Sequence, residues 1–80
     1  MRPMTRLEEL RRKKGLTQLQ MQMRFGIDQG DYSKIERGLR TPSMPVYIQF
    51  ALFFDTSVDY LVGLTDDPRP YPRSEQYREP

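Results

Sequence analysis

Between residues 29 and 40 the chain sets out short polar and cationic side chains at helical spacing: Gln29, Ser33, Lys34, Arg37 and Arg40. Their chemistry is hydrogen bonding. A glutamine amide can bond adenine bidentately, a lysine can reach guanine or a phosphate oxygen, and a serine hydroxyl donates or accepts. The rest of the chain offers little to a reaction. Its 80 residues include no Cys and no His, which removes thiolate metal sites, the commonest general base and a common zinc ligand. Glu8 and Glu9 are neighbours that diverge on a helix, and Asp66 and Asp67 stand at a domain exit, so paired carboxylates lack a site. No enzyme and no cofactor is expected.

For those side chains to share a face, residues 28–38 must form a helix. Tyr32 and Ile35, three apart, mark its buried side and turn Gln29, Gly30, Ser33 and Lys34 outward. Asp28 is its expected N-cap and Gly38 its stop, with Asp31 in the first turn favoured by the helix dipole. Upstream, Thr17 and Gln20 form a capping box for a preceding helix that ends at Gly26. Leu19, Met21, Met23 and Phe25 in that segment alternate with polar residues, which is strand periodicity. Helix-forming residues, an absence of β-branching, the flanking cap and stop, and the lack of a partner strand favour a helix. Two short helices joined at Gly26 outline a helix-turn-helix, whose second helix enters the major groove of DNA.

Three further helices complete the domain. Thr5 and Glu8 open the first, which Gly15 ends, and Arg12, Lys13 and Lys14 suit its C-terminal dipole. Ser43 is the expected cap of a fourth helix, with Pro45 tolerated in its first turn and Tyr47, Phe50, Ala51 and Phe54 on one face. Thr56 or Ser57 caps a short fifth, residues 58–62, stopped by Gly63. The expected fold is all-α, with no strands. Residues 1–4 form an N-terminal arm, 5–66 the domain, and 67–80 a Pro-rich tail, extended or disordered, whose Tyr71 and Tyr77 could dock on a partner.

Charge is distributed unevenly. The net charge is only +2 and the pI about 9.2. Residues 1–40 nevertheless hold ten Lys/Arg against five Asp/Glu, a net of +5, whereas residues 41–66 carry −3. The half with the outward-facing helix therefore suits an anionic partner. No segment is apolar for long enough to span a bilayer, so no membrane is expected and a cytoplasmic protein is.

Leu10-Arg11, Gly15-Leu16-Thr17-Gln18, Gly26-Ile27, Tyr32-Ser33-Lys34-Ile35-Glu36-Arg37-Gly38, Arg40-Thr41-Pro42-Ser43, Ser57-Val58-Asp59-Tyr60-Leu61 and Gly63-Leu64 follow one another in a fixed order. Together, over about residues 5–66, they resemble the lambda-repressor-like (Cro/cI, XRE-type) helix-turn-helix family. The resemblance implies a compact five-helix domain of a bacterial or phage regulator that binds double-stranded operator DNA, usually as a homodimer. It places base reading on Gln29, Gly30, Ser33 and Lys34, and backbone contacts on Thr17, Gln18, Arg37 and Arg40. Arg11 and Glu36 match a family pair bridging the first and third helices. The chain departs from the family pattern at Gln22, where alanine is usual, at Gly30, where a polar reading residue is common, and at Asp31, a carboxylate on the DNA-facing helix.

Ile48, Leu52 and Phe53 exceed what the fourth helix's core face needs, and with Tyr60 and Leu64 they make a candidate homodimer seam. The expected function is sequence-specific transcriptional regulation, with repression by operator occupancy as its simplest mechanism. The alternative is a protein-interaction module, such as an antitoxin on the same fold, that uses the fourth and fifth helices or the tail.

Overall fold

The computed structural model describes residues 4–77, so positions 1–3 of the arm and 78–80 of the tail lie outside the described residues. Five α-helices follow in order: α1 (Arg6–Lys13), α2 (Gln18–Phe25), α3 (Gln29–Glu36), α4 (Met44–Phe53) and α5 (Val58–Val62), and a single 3-10 turn covers Glu75–Tyr77. No strand occurs among the described residues.

The sequence explains where each helix begins. Thr5 Oγ1 accepts from Glu8 N at 3.2 Å and opens α1. Gln20 N donates to Thr17 Oγ1 at 3.1 Å while Thr17 N donates to Gln20 Oε1 at 2.8 Å, closing a full capping box on α2. Asp28 Oδ1 accepts from Gly30 N at 2.7 Å at the start of α3. Ser57 Oγ accepts from Tyr60 N at 3.0 Å at the start of α5. Ser43 holds the N-cap position of α4, but its hydroxyl makes no cap bond, and Pro in the first turn sets the start instead.

The apparent strand period of α2 resolves at Met21. In a strand Leu19, Met21 and Met23 would share a face. Here Met21 is fully buried while Leu19 and Met23 are 61% and 76% exposed, which is the 3.6-residue period. The chain then reverses at Gly26, whose φ of 64° is left-handed and favours a residue without a Cβ.

The core is one cluster of Leu7, Met21, Tyr32, Phe50 and Phe54, drawn from α1 to α4 and the α4 C-cap. Phe25 meets Phe50 edge-on at 4.8 Å and Phe53 at 5.4 Å, and so locks α2 to α4. Leu10, Leu16, Ile27, Ile35, Val46 and Leu61 pack around this cluster.

Two long-range clamps complete the fold. Arg6 Nη1 donates to Tyr60 O at 3.0 Å and Thr65 O at 2.7 Å, its guanidinium lies 4.1 Å from the Tyr60 ring centre, and it also pairs with Asp66. The α1 start is thereby fixed to the end of α5. The Pro-rich tail lies as extended chain against the α4–α5 corner. Thr56 Oγ1 donates to Pro68 O at 2.7 Å, Tyr71 Oη to Asp59 Oδ2 at 2.9 Å, and Arg73 Nη2 to Thr56 O at 3.1 Å.

Candidate nucleic-acid interface

Helix α3 is pinned from behind. Glu36, fully buried, accepts from Arg11 Nε at 3.0 and 2.9 Å and from Arg11 Nη2 at 2.7 Å. Arg11 Nη1 donates to Leu16 O at 2.8 Å, on the connection into α2. One guanidinium therefore ties together α1, the entry to α2, and the last turn of α3. Thr5 Oγ1 adds a bond of 2.6 Å to Glu36 O. Burial alone would raise the Glu36 carboxyl, but its hydrogen bonds, Arg11's foremost, outweigh that and hold it below its ordinary value.

Tyr32 fills the centre of the buried side. Its hydroxyl is enclosed with no hydrogen-bond partner among the described residues. Burial, and then the neighbouring Glu36 carboxylate, push the phenol well above its usual range.

The opposite side of α3 is open. Gln29 and Lys34 are exposed and Ser33 is half-buried. Arg37, the C-cap, is exposed, and its Nε makes a long 3.4 Å bond to Ser33 O. Gln29, Gly30, Ser33, Lys34 and Arg37 thus lie along one accessible strip. A Cβ built on Gly30 would approach only Asp28 Oδ1, at 3.4 Å, so the space outside Gly30 is empty.

Three positions are engaged within the protein. The Gln18 side chain turns inward and donates Nε2 to Glu36 Oε1 at 3.2 Å. Thr17 uses its hydroxyl to cap α2. Arg40 donates Nη1 to Asp31 Oδ1 at 2.5 Å. That pair answers what a carboxylate does on this helix: Asp28 caps α3, and Asp31 holds Arg40. Gln22, at the α2–α3 contact, is half-buried, so a long polar side chain is accommodated at the edge of the contact rather than inside it.

The five seam candidates do not form one open face. Ile48 and Leu52 line a cavity of about 240 Å³ with Val58 and, from the tail, Tyr71, Arg73 and Tyr77. Phe53 packs against Phe25 and Phe54. Tyr60 lies under Arg6. Leu64 is 79% exposed, with Val62 nearby at 45%.

The Arg6 clamp and the Asp31–Arg40 pair escape sequence reasoning. Arg6 bonds backbone carbonyls 54 and 59 residues away, and a carbonyl leaves no mark in the choice of residue. For Asp31, the helix stop expected at Gly38 was a usable signal, since a chain that turns back after it can return Arg40 toward the first turn of α3. Among the described residues no helix is long and apolar enough to cross a membrane.

The chain is 35% identical over 74 residues to YobD of Bacillus subtilis, an uncharacterized HTH-type transcriptional regulator, with 92% of this chain and 66% of that protein covered. It is 40% identical over 58 residues to y4dJ of Sinorhizobium fredii, also an uncharacterized HTH-type transcriptional regulator, with 72% and 75% covered. The match to YobD thus spans slightly less than two thirds of that protein. No solved structure matches the chain. A family profile described as helix-turn-helix matches residues 7–61, from α1 into α5, and by that match the chain belongs to the XRE-type helix-turn-helix family.

Proposed function

We propose that this chain is a sequence-specific DNA-binding transcriptional regulator that represses by occupying its operator as a homodimer. The observation that carries the reading is the open strip of α3. Gln29 and Lys34 are exposed and have no partner among the described residues, on a helix whose back is fixed by a buried ion pair. A rigid helix with free polar side chains is what base reading requires, because the duplex edges are fixed in space. The family is non-enzymatic, and two relatives named as regulators support the same reading.

Gln29 stands at the helix start and reads adenine; Lys34, one turn on, reads guanine or a phosphate; Ser33 lies between them. Gly30 lets the α3 backbone approach the duplex closely. The α2 N-terminus beside Thr17 and Gln18, together with Arg37 and Arg40, takes the phosphates. The two copies join through the exposed end of α5 at Leu64 and Val62, and the paired α3 helices meet half-sites about one helical turn apart.

Fluorescence anisotropy on duplexes selected from a random pool tests this. Lys34→Ala is expected to weaken binding, and Gln29→Ala to relax preference at one base pair by about 1–3 kcal/mol. If neither variant alters affinity or preference, the reading helix is misassigned. Failure of the wild type to bind any duplex at low salt moves the assignment to a protein-interaction module.

A further inference from the structure

Asp31 is the one carboxylate of α3 outside the core, since Glu36 is buried. It flanks the strip formed by Gly30, Ser33 and Lys34, where it would repel phosphates. The structure shows it occupied. After α3 the chain reverses at Gly38, with φ 76°, and Arg40 Nη1 reaches Asp31 Oδ1. The two side chains keep 55% and 41% of their surface exposed. Pairs this exposed are weak and readily exchanged. Carboxylate and phosphate oxygens are equivalent acceptors for a guanidinium, so Asp31 occupies the place a phosphate would take.

We propose that Asp31 is a specificity-determining positioning residue: it holds Arg40 off the phosphate backbone until base contacts seat α3 fully in its operator. The proposal rests on the DNA-reading role of α3. On an arbitrary duplex, where α3 is not seated, Arg40 stays with Asp31 and contributes nothing to binding. On the operator, Arg40 transfers to a phosphate. Asp31 therefore lowers affinity for arbitrary DNA more than affinity for the operator.

The test measures affinity against salt for the wild type, Asp31→Ala, Arg40→Ala and the double variant, each on the selected operator and on an arbitrary duplex of equal length. Freeing Arg40 adds one phosphate contact per protomer, which steepens the log–log salt slope by about 0.9 per protomer and about 1.8 for the homodimer. Asp31→Ala is expected to steepen the slope of the homodimer on the arbitrary duplex by that amount, worth about 12-fold between 200 and 50 mM salt. Its slope on the operator stays unchanged, and the operator-to-arbitrary affinity ratio falls. In the Arg40→Ala background the ratio is expected not to move when Asp31 is also removed, and Asp31→Glu restores it. Equal gains on both duplexes, or a gain that persists without Arg40, overturn the proposal. Those outcomes leave the reading role of α3 standing if Lys34→Ala and Gln29→Ala still act. Absence of any duplex binding by the wild type refutes both.

Discussion

Replacing Glu36 with glutamine tests whether α3 is held as the structure indicates. The change preserves shape and removes one charge. Three of the four Arg11 hydrogen bonds go to the Glu36 carboxylate, and the Arg11 side chain is only 10% exposed. Breaking a buried pair from one side costs about 3–5 kcal/mol, because the surviving charge is stranded. Glutamine keeps one acceptor, so the lower end, about 3 kcal/mol, is expected. A domain of this length holds about 4–12 kcal/mol in all. The variant should thus lose a quarter or more of its stability, a fall in Tm of about 12–24 °C. Urea unfolding followed by circular dichroism measures the loss, with the denaturant slope unchanged if the fold is intact. Arg11→Met with Glu36→Leu removes both charges and is expected to be more stable than either single replacement. The loss also has a pH signature. Glu36 is held below its ordinary value of 4.5, so the pair's contribution is complete above that pH. It disappears as pH falls through the folded-state value, and the gap between wild type and Glu36→Gln should close there. A Glu36→Gln protein within about 0.5 kcal/mol of wild type, or a gap indifferent to acid, would refute a structural pin.

Three further outcomes follow from single features. Gly30→Ala places a methyl where only Asp28 Oδ1 lies nearby, so helix propensity should raise stability by about 1 kcal/mol. The same methyl would stand between the α3 backbone and a duplex, so melting and anisotropy should move in opposite senses, with Tm rising and affinity falling. Tyr32→Phe deletes an enclosed hydroxyl that has no partner among the described residues, and urea midpoints are expected to be unchanged or higher. A loss above about 1 kcal/mol would mean that the hydroxyl bonds Glu36 after all. Ending the chain after Asp67 uncovers Ile48, Leu52 and Val58 and orphans the Thr56 hydroxyl. A lower Tm with Lys34-dependent DNA binding intact is expected; an unchanged Tm would argue that the tail does not pack there.

Local signals made most of the fold legible. Thr5, Thr17, Asp28 and Ser57 announce helix starts because their oxygens bond amides two or three residues on, and that chemistry is written in adjacent sequence. The outward strip of α3 was equally legible, since Tyr32 fixes the buried side and geometry does the rest. Engagement of the polar groups was not. Nothing local distinguishes Gln18 facing a phosphate from Gln18 bonding Glu36, which is 18 residues away. The same holds for surplus apolar residues. Ile48, Leu52 and Phe53 read as an excess, but for Ile48 and Leu52 the count depended on a tail with few apolar residues of its own. Tyr71 and Tyr77 line the same cavity as Ile48 and Leu52, and prolines keep that segment extended enough to deliver them, while Phe53 packs against Phe25 and Phe54.

The placement of charge supports the proposed second copy on the DNA. Ten cations lie in residues 1–40, yet Arg6, Arg11, Arg12 and Arg40 are all in ion pairs. Lys14 and Arg24 each lie 5.0 Å from the Phe53 ring centre, on the α2–α4 side. At α3 itself the cations without an ion pair among the described residues are Lys34 and Arg37, and Arg40 would join them on release from Asp31. Two or three phosphate contacts give a salt slope of only about −2 to −3, so lowering salt from 200 to 50 mM tightens one protomer by about 10- to 40-fold. Two protomers held together double the exponent and give about 150- to 1,800-fold. On the proposed reading, a surface this sparse would draw half of its salt-dependent hold on the duplex from a second copy, and one with many free cations would need that copy less.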